Sequence, residues 1–101
     1  MSVPNADAEA LKARAEEAAN MLKLLSNEAR LMILCHLSNG EASVGELAEA
    51  AGMRTAAISQ HLAKLRAEKV VSTRRDAQTI YYSLTHPAAH DLIATLCRIY
   101  K

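Results

Sequence analysis

Three residues in the middle of the chain, Ala48, Gly52 and Ile58, stand at the spacing required by two short helices that meet through a sharp turn. Such a pair needs a small residue where the helices touch, a glycine where the chain turns, and an apolar residue where the second helix docks. The remaining apolar contacts are expected from Leu47, Met53 and Leu62. The sequence therefore predicts a helix-turn-helix over residues 46–62.

The periodicity of apolar residues on either side of this motif predicts a single, mostly α domain over residues 1–101, with five helices and a β-hairpin. We expect residues 1–6 to be disordered. The predicted helices cover 7–26, 28–37 with Asn27 as its cap, the stretch from the Ser43/Glu46 capping box to 51, 55–68, and the segment from Pro87 onward. The predicted strands cover 70–75 and 79–84, so that a hairpin, or wing, spanning 70–84 directly follows the helix-turn-helix.

Basic side chains are concentrated in the second half of a nearly neutral chain. Residues 1–52 carry four basic and eight acidic side chains, whereas residues 53–101 carry eight basic and three acidic ones. A local basic patch on a chain whose net charge is only +1 is typical of a face that binds phosphate. The alternative interpretation is a solvated charged face.

The second helix of the predicted motif and the hairpin after it carry side chains that suit a nucleic-acid duplex. On the helix, short polar groups and the Gln60 amide are expected to face solvent, and glutamine can pair bidentately with adenine. At the hairpin tip, arginine side chains can reach phosphates or the minor groove. The predicted DNA-contacting residues are Arg54, Thr55, Ala56, Ser59, Gln60, His61, Lys64, Arg74, Arg75 and Gln78. The alternative for the tip arginines is a protective charge on an edge strand, which prevents sheets from aggregating.

Four short segments follow one another in the order and spacing of a known family. They are Leu24–Leu31, Ser43–Ala48, Ile58–Arg66 and Ile80–Leu84. Within the third, Ser-Gln-His-Leu followed by Leu-Arg is highly characteristic, and together the segments resemble the ArsR/SmtB family of winged-helix repressors. The resemblance covers residues 10–101. It implies a winged helix-turn-helix, a homodimer built from the first and last helices, a double-stranded operator of two half-sites, and repression that an inducer relieves.

A metal inducer is not supported by the residues at the metal positions of this family. The Cys-x-Cys site that the resemblance implies is absent, because Ser43 and Gly45 stand there. A second family site would use His86 and His90, but zinc takes about four ligands and the later half of that helix offers only Ile, Leu, Thr and Cys. We therefore interpret both histidines as surface residues and expect no metal or other cofactor. A metal-responsive repressor is the alternative.

The two cysteines favour a thiol-based inducer instead. The segment Leu31–Leu37 resembles the BigR/SqrR/YgaV/HlyU branch of the family, which senses reactive sulfur species or oxidants. Cys35 matches the first sensor position of that branch, whereas the second position falls on Lys101. Cys97 lies four residues before Lys101 and shares its helix face, so we expect Cys97 to substitute. The alternative is that both cysteines are small core residues.

Other classes of protein fit the sequence less well. No Ser/His/Asp set, paired carboxylates or phosphate-binding glycine loop indicates an enzyme. The polar side chains Gln60 and Lys64 argue against a winged helix that binds only other proteins. No apolar run has the length of a signal peptide or a membrane span, which favours a cytoplasmic protein without membrane contact.

Overall fold

The computed structural model describes residues 5–101, so the expected disorder of residues 1–4 lies outside the described residues. The described chain forms six helices and three strands. They are α1 (Asn5–Ala13), α2 (Ala15–Leu25), α3 (Glu28–Leu37), β1 (Ala42–Ser43), α4 (Val44–Ala51), α5 (Thr55–Ala67), β2 (Val71–Asp76), β3 (Thr79–Leu84) and α6 (Pro87–Ile99). The predicted winged helix-turn-helix is confirmed, with α4 and α5 as its two helices and β2 and β3 as its wing.

The predicted first helix is two helices, which makes the expected total of five wrong. Asn5 and Ala6 are helical rather than disordered, and α1 ends before Arg14, whose backbone φ of −121° and ψ of 18° leave the helical region. There the Arg14 amide bonds to the Leu11 carbonyl three residues back, which tightens the last turn. No side chain from residue 6 to residue 17 is buried, so the core does not hold this part of the chain in one straight helix.

A third strand joins the predicted hairpin. The two residues of β1 pair antiparallel with β3, Ala42 opposite Tyr82 and Ser43 opposite Tyr81, which gives the strand order β1-β3-β2. A segment of two residues is too short to show the alternation that marks a strand in a sequence. Strands β2 and β3 pair antiparallel along their whole length, from Val71 opposite Leu84 to Asp76 opposite Thr79 at the turn.

The core lies between α3, the helix-turn-helix and α6. Its largest fully buried side chains are Ile33, Leu34, Leu47, Ile58, Leu62, Leu65, Val70 and Ile93. Helix α5 places Ile58, Leu62 and Leu65 on one face, the spacing of an amphipathic helix, and seats that face on the core. The opposite face of α5 is consequently left in solvent.

Local side-chain signals begin and end the helices as predicted. Asn27 accepts a hydrogen bond from the Arg30 amide at 3.1 Å and begins α3. Ser43 and Glu46 form a reciprocal capping box at α4, with hydrogen bonds of 3.2 and 2.9 Å. Gly52 ends α4 in the left-handed region, at φ 64°, where a side chain would be strained. None of the helices within residues 5–101 is both long and apolar enough to cross a bilayer.

Candidate nucleic-acid interface and thiol pair

The exposed face of α5 carries the residues predicted to contact bases. Thr55, Ala56, Ser59, Gln60 and Lys64 are all exposed along it, and Arg54 is exposed at the residue before its first turn. The face therefore offers hydroxyl and amide groups between two cations. Groups of this kind can donate to and accept from base edges in the major groove, while the cations suit phosphates.

His61 differs from its neighbours on α5 because it is half-buried. Its ring Nδ1 accepts a hydrogen bond from the Nε of Arg30, on α3, at 3.4 Å. The structure therefore turns this predicted DNA-contacting residue partly toward the protein. Arg30 was not predicted from the sequence as a functional residue, since neither its charge nor its position inside a predicted helix indicated a partner on another helix.

The two arginines of the wing have different surroundings. Arg74 lies opposite Tyr81 in the sheet, and its guanidinium carbon is 4.7 Å from the centroid of the Tyr81 ring. Its Nε donates to both carboxylate oxygens of Glu41, at 2.8 and 3.0 Å. These bonds raise the pKa of Arg74 and lower the pKa of Glu41. Arg74 is thus held against the sheet. Its partner Glu41 was not predicted from the sequence, because the adjoining strand β1 was not predicted.

Arg75 and Gln78 stay available at the end of the wing. Arg75 follows Arg74 in β2, so its side chain points to the other face of the sheet, and it is exposed. Gln78 is exposed in the two-residue turn between β2 and β3, after Ala77, whose φ is 56°. Of the three predicted wing contacts, these two need no rearrangement to meet a duplex.

Cys35 and Cys97 come together although 62 positions separate them in sequence. Cys35 lies on α3 and Cys97 on α6, both are half-buried free thiols, and their Sγ atoms are 2.8 Å apart. Lys101, which occupies the second sensor position implied by the family resemblance, lies beyond the end of α6 and is exposed. Cys97 is therefore the residue that meets Cys35. The apolar side chains around the two sulfurs are Leu31, Met32, Ile93, Leu96 and Tyr100.

The environment of the thiol pair affects its chemistry. The hydrogen bond to Cys97, and after it burial, raises the pKa of the Cys35 thiol above its ordinary value. The thiolate is the reactive form of cysteine, so Cys35 is less nucleophilic than a free thiol at the same pH. The sulfur atoms of a disulfide are about 2.05 Å apart, so an oxidant could join these two thiols with only a small movement of the sulfur atoms.

The histidines considered as metal ligands lie at the start of α6. The His86 side chain accepts a hydrogen bond from the Ala88 amide at 3.2 Å and caps the helix, while His90 is exposed. Across residues 5–101, no three or more His, Cys, Asp or Glu side chains converge in a way that could hold a metal ion.

The raised pKa of Cys35 predicts a change in its alkylation rate when Cys97 is replaced. Cys97→Ala removes the leading cause of the shift, so the pKa of Cys35 should fall and more thiolate should be present at a given pH. Iodoacetamide should then modify Cys35 faster in Cys97→Ala than in the unaltered protein at roughly pH 8, as followed by peptide mass spectrometry. Denatured protein provides the reference profile. Identical pH profiles for Cys35 in both folded proteins would contradict this account of the pair.

Comparison with known proteins assigns the chain to a family. Residues 27–73 match the family described as "Bacterial regulatory protein, arsR family". The chain is 46% identical over 91 residues to the HTH-type transcriptional regulator YgaV of Escherichia coli, an alignment that covers 89% of this chain and 92% of the relative. It is 42% identical over 99 residues to the biofilm growth-associated repressor of Xylella fastidiosa, covering 98% of this chain and 87% of the relative.

Solved structures give the same result. The transcriptional repressor BigR of Xylella fastidiosa superposes with a TM-score of 0.86 at 43% identity, over 92% of this chain and 95% of that one. Reduced HlyU of Vibrio cholerae superposes with a TM-score of 0.85 at 40% identity, over 91% and 97%. The chain therefore belongs to the arsR family of bacterial regulatory proteins and is a DNA-binding regulator of transcription rather than an enzyme.

Proposed function

We propose that this chain is a homodimeric, sequence-specific repressor that leaves its operator when Cys35 and Cys97 are oxidised or modified by reactive sulfur. The observation that carries the proposal is the 2.8 Å contact between the two Sγ atoms, which joins α3 to α6. Disulfide formation between these residues would therefore connect two helices that the fold otherwise holds together only by packing.

Base recognition is assigned to the exposed face of α5. Gln60 can make a bidentate contact to adenine, and Thr55 and Ser59 offer hydroxyl groups. Arg54 and Lys64 flank these residues and would hold the helix in the groove through phosphates. Arg75 and Gln78 would contact the backbone or the minor groove from the wing, and Arg74 could do so only by exchanging Glu41 for a phosphate.

Dimerisation is supported by apolar side chains that a single chain leaves in water. Leu11, Leu22, Ile99 and Tyr100 are 59%, 56%, 60% and 80% exposed. Helix α1 buries no side chain from residue 6 onward, so its apolar residues gain nothing unless another surface covers them. A groove between α1, α2 and α6, lined by Leu11, Met21, Leu22 and Leu92, offers such a surface to a second copy. Ile93, which also lies on α6, does not contribute to this surface, because it is buried in the core of its own chain at 1% exposure.

Two classes of inducer can close the thiol pair by balanced steps. A peroxide oxidises one thiol to a sulfenic acid and leaves as an alcohol or water, and the second thiol then displaces water to form the disulfide. A polysulfide transfers one sulfur atom to form a persulfide, and attack by the second thiol expels hydrogen sulfide. Because the two sulfurs already touch, extra sulfur atoms are not needed to span a gap.

Formation of the disulfide would affect DNA binding by changing the geometry of the dimer. Helix α6 belongs to the proposed dimer surface, whereas α3 packs against both helices of the helix-turn-helix. A disulfide that shifts α3 relative to α6 would therefore change the separation of the two copies of α5. Half-sites lie about 34–36 Å apart along B-DNA. The two copies of α5 therefore cannot both stay in the major groove when the separation between them changes.

The thiol switch predicts a loss of DNA affinity that requires both cysteines. Peroxide or polysulfide should release the reduced protein from a duplex that it selected from a random pool, and a reductant should restore binding. Cys35→Ser and Cys97→Ser should bind the same duplex but no longer respond. Fluorescence anisotropy measures binding, and intact mass should show the loss of two hydrogen atoms. Release of either single variant by the same dose would rule out the pair as the switch.

The wing predicts different results for two neighbouring arginines. Arg75→Ala should weaken binding to the selected duplex and to random duplex alike, and should lower the slope of log affinity against log salt by about one unit. Arg74→Ala should leave that slope unchanged, because Glu41 already pairs with its charge. The measurement is a salt titration of both variants. An equal fall in slope for Arg74→Ala would show that Arg74 exchanges Glu41 for a phosphate.

A further inference from the structure

Arg30 is a charged residue within the protein that the proposed DNA contacts do not include. It lies in the first turn of α3 and is half-buried. Its Nη1 donates to the carbonyl oxygen of Leu24 at 3.0 Å, and its Nε donates to Nδ1 of His61 at 3.4 Å. One guanidinium therefore joins the end of α2, the start of α3 and the middle of α5.

These two contacts together suit an arginine in particular. Leu24 lies in the last turn of α2, where carbonyl groups have no partner within the helix and carry the negative end of its dipole. A cation that donates to such a carbonyl stabilises the helix end. The planar guanidinium can at the same time direct another N–H group toward α5, which the compact ammonium of a lysine cannot do in the same geometry.

The contact with His61 can restrict the rotation of α5 about its own axis. Ile58, Leu62 and Leu65 seat one face of the helix by apolar packing, which has little directional preference. A hydrogen bond is directional, and the one to His61 holds the flank of the helix next to Gln60. The contact is made by Nδ1 of the imidazole, so it defines the orientation of the ring as well.

We propose that Arg30 is a positioning residue that sets the orientation of α5 through His61 and thereby sharpens the discrimination between base sequences. This inference rests on the proposed role of α5 in base recognition. Arg30 would touch no base and no phosphate, so its effect should appear in sequence preference and not in the electrostatic part of DNA binding.

Four single variants of the full chain, and the double variant that combines Arg30→Met with His61→Leu, test the proposal. Arg30→Met removes both donors, and His61→Leu removes the acceptor. His61→Asn keeps an acceptor oxygen near the position of Nδ1. Lys23→Met is the matched control. Lys23 lines the same surface groove as Arg30, but it is exposed and its charge is not part of the contact between Arg30 and His61. The readout is the ratio of affinities for a duplex selected by the unaltered protein and for random duplex, with thermal melting by circular dichroism beside it.

Arg30→Met and His61→Leu should each lower this ratio about 3- to 10-fold, as expected for loss of one ordinary hydrogen bond. The double variant should lose no more than either single one, because both remove the same contact. His61→Asn and Lys23→Met should stay within about twofold of the unaltered protein, and no variant should change the salt slope. Rescue by His61→Asn is a result that general destabilisation would not produce.

Three outcomes would overturn the role of Arg30. They are losses that multiply in the double variant, a loss in His61→Asn as large as in His61→Leu, and ratios that equal that of the unaltered protein. The comparison of His61→Leu with His61→Asn keeps Arg30 intact, so it remains decisive if Arg30→Met does not fold. Failure of the unaltered protein to select any sequence would instead overturn the reading role of α5, and the role of Arg30 with it.

Discussion

Helix α3 cannot lie on a protein surface with a single face in contact with the core, because apolar side chains are spread around most of its circumference from Leu31 to Leu37. Burying such a helix requires partners on several sides. Helices α4, α5 and α6 and strand β3 all pack against it, and Ile33, Leu34 and Leu37 are within 3% of complete burial. These four elements therefore meet at this helix. It is therefore also the route by which a change at Cys35 or Arg30 can reach the rest of the molecule.

The basic side chains of the chain divide into those held by the protein and those left for a partner. Arg14 pairs with Glu17 and Arg74 with Glu41, while Arg30 binds a carbonyl and His61. Counting charges along the sequence places Arg74 in the phosphate-binding patch, but in the structure its exposed guanidinium is paired with Glu41. The proposed electrostatic contact with DNA consequently depends on fewer cations than the sequence suggests, with Arg54, Lys64 and Arg75 exposed.

Features that depend on neighbouring residues were predictable from sequence. The spacing of Ala48, Gly52 and Ile58 and the caps at Asn27 and Ser43 rest on contacts a few residues long, and the structure confirms all of them. The meeting of Cys35 with Cys97 was expected from helix periodicity and the family resemblance together. The strand β1, the burial of Ile93 and the contacts of Arg74 and Arg30 depend on residues distant in sequence, and no local pattern marks them. The break at Arg14 lies where the chain has no buried side chain, so the apolar periodicity does not mark it either.

In the proposed switch, the thiol pair is coupled to α5 through α3. The most direct test is a comparison of backbone and histidine-ring NMR spectra of the reduced protein and the same protein oxidised to the Cys35–Cys97 disulfide, both without DNA. We expect chemical-shift changes that extend from Cys35 along α3 to Arg30, to the His61 ring and into the exposed face of α5. Changes confined to the surroundings of Cys35 and Cys97, with His61 and α5 unaltered, would contradict this coupling.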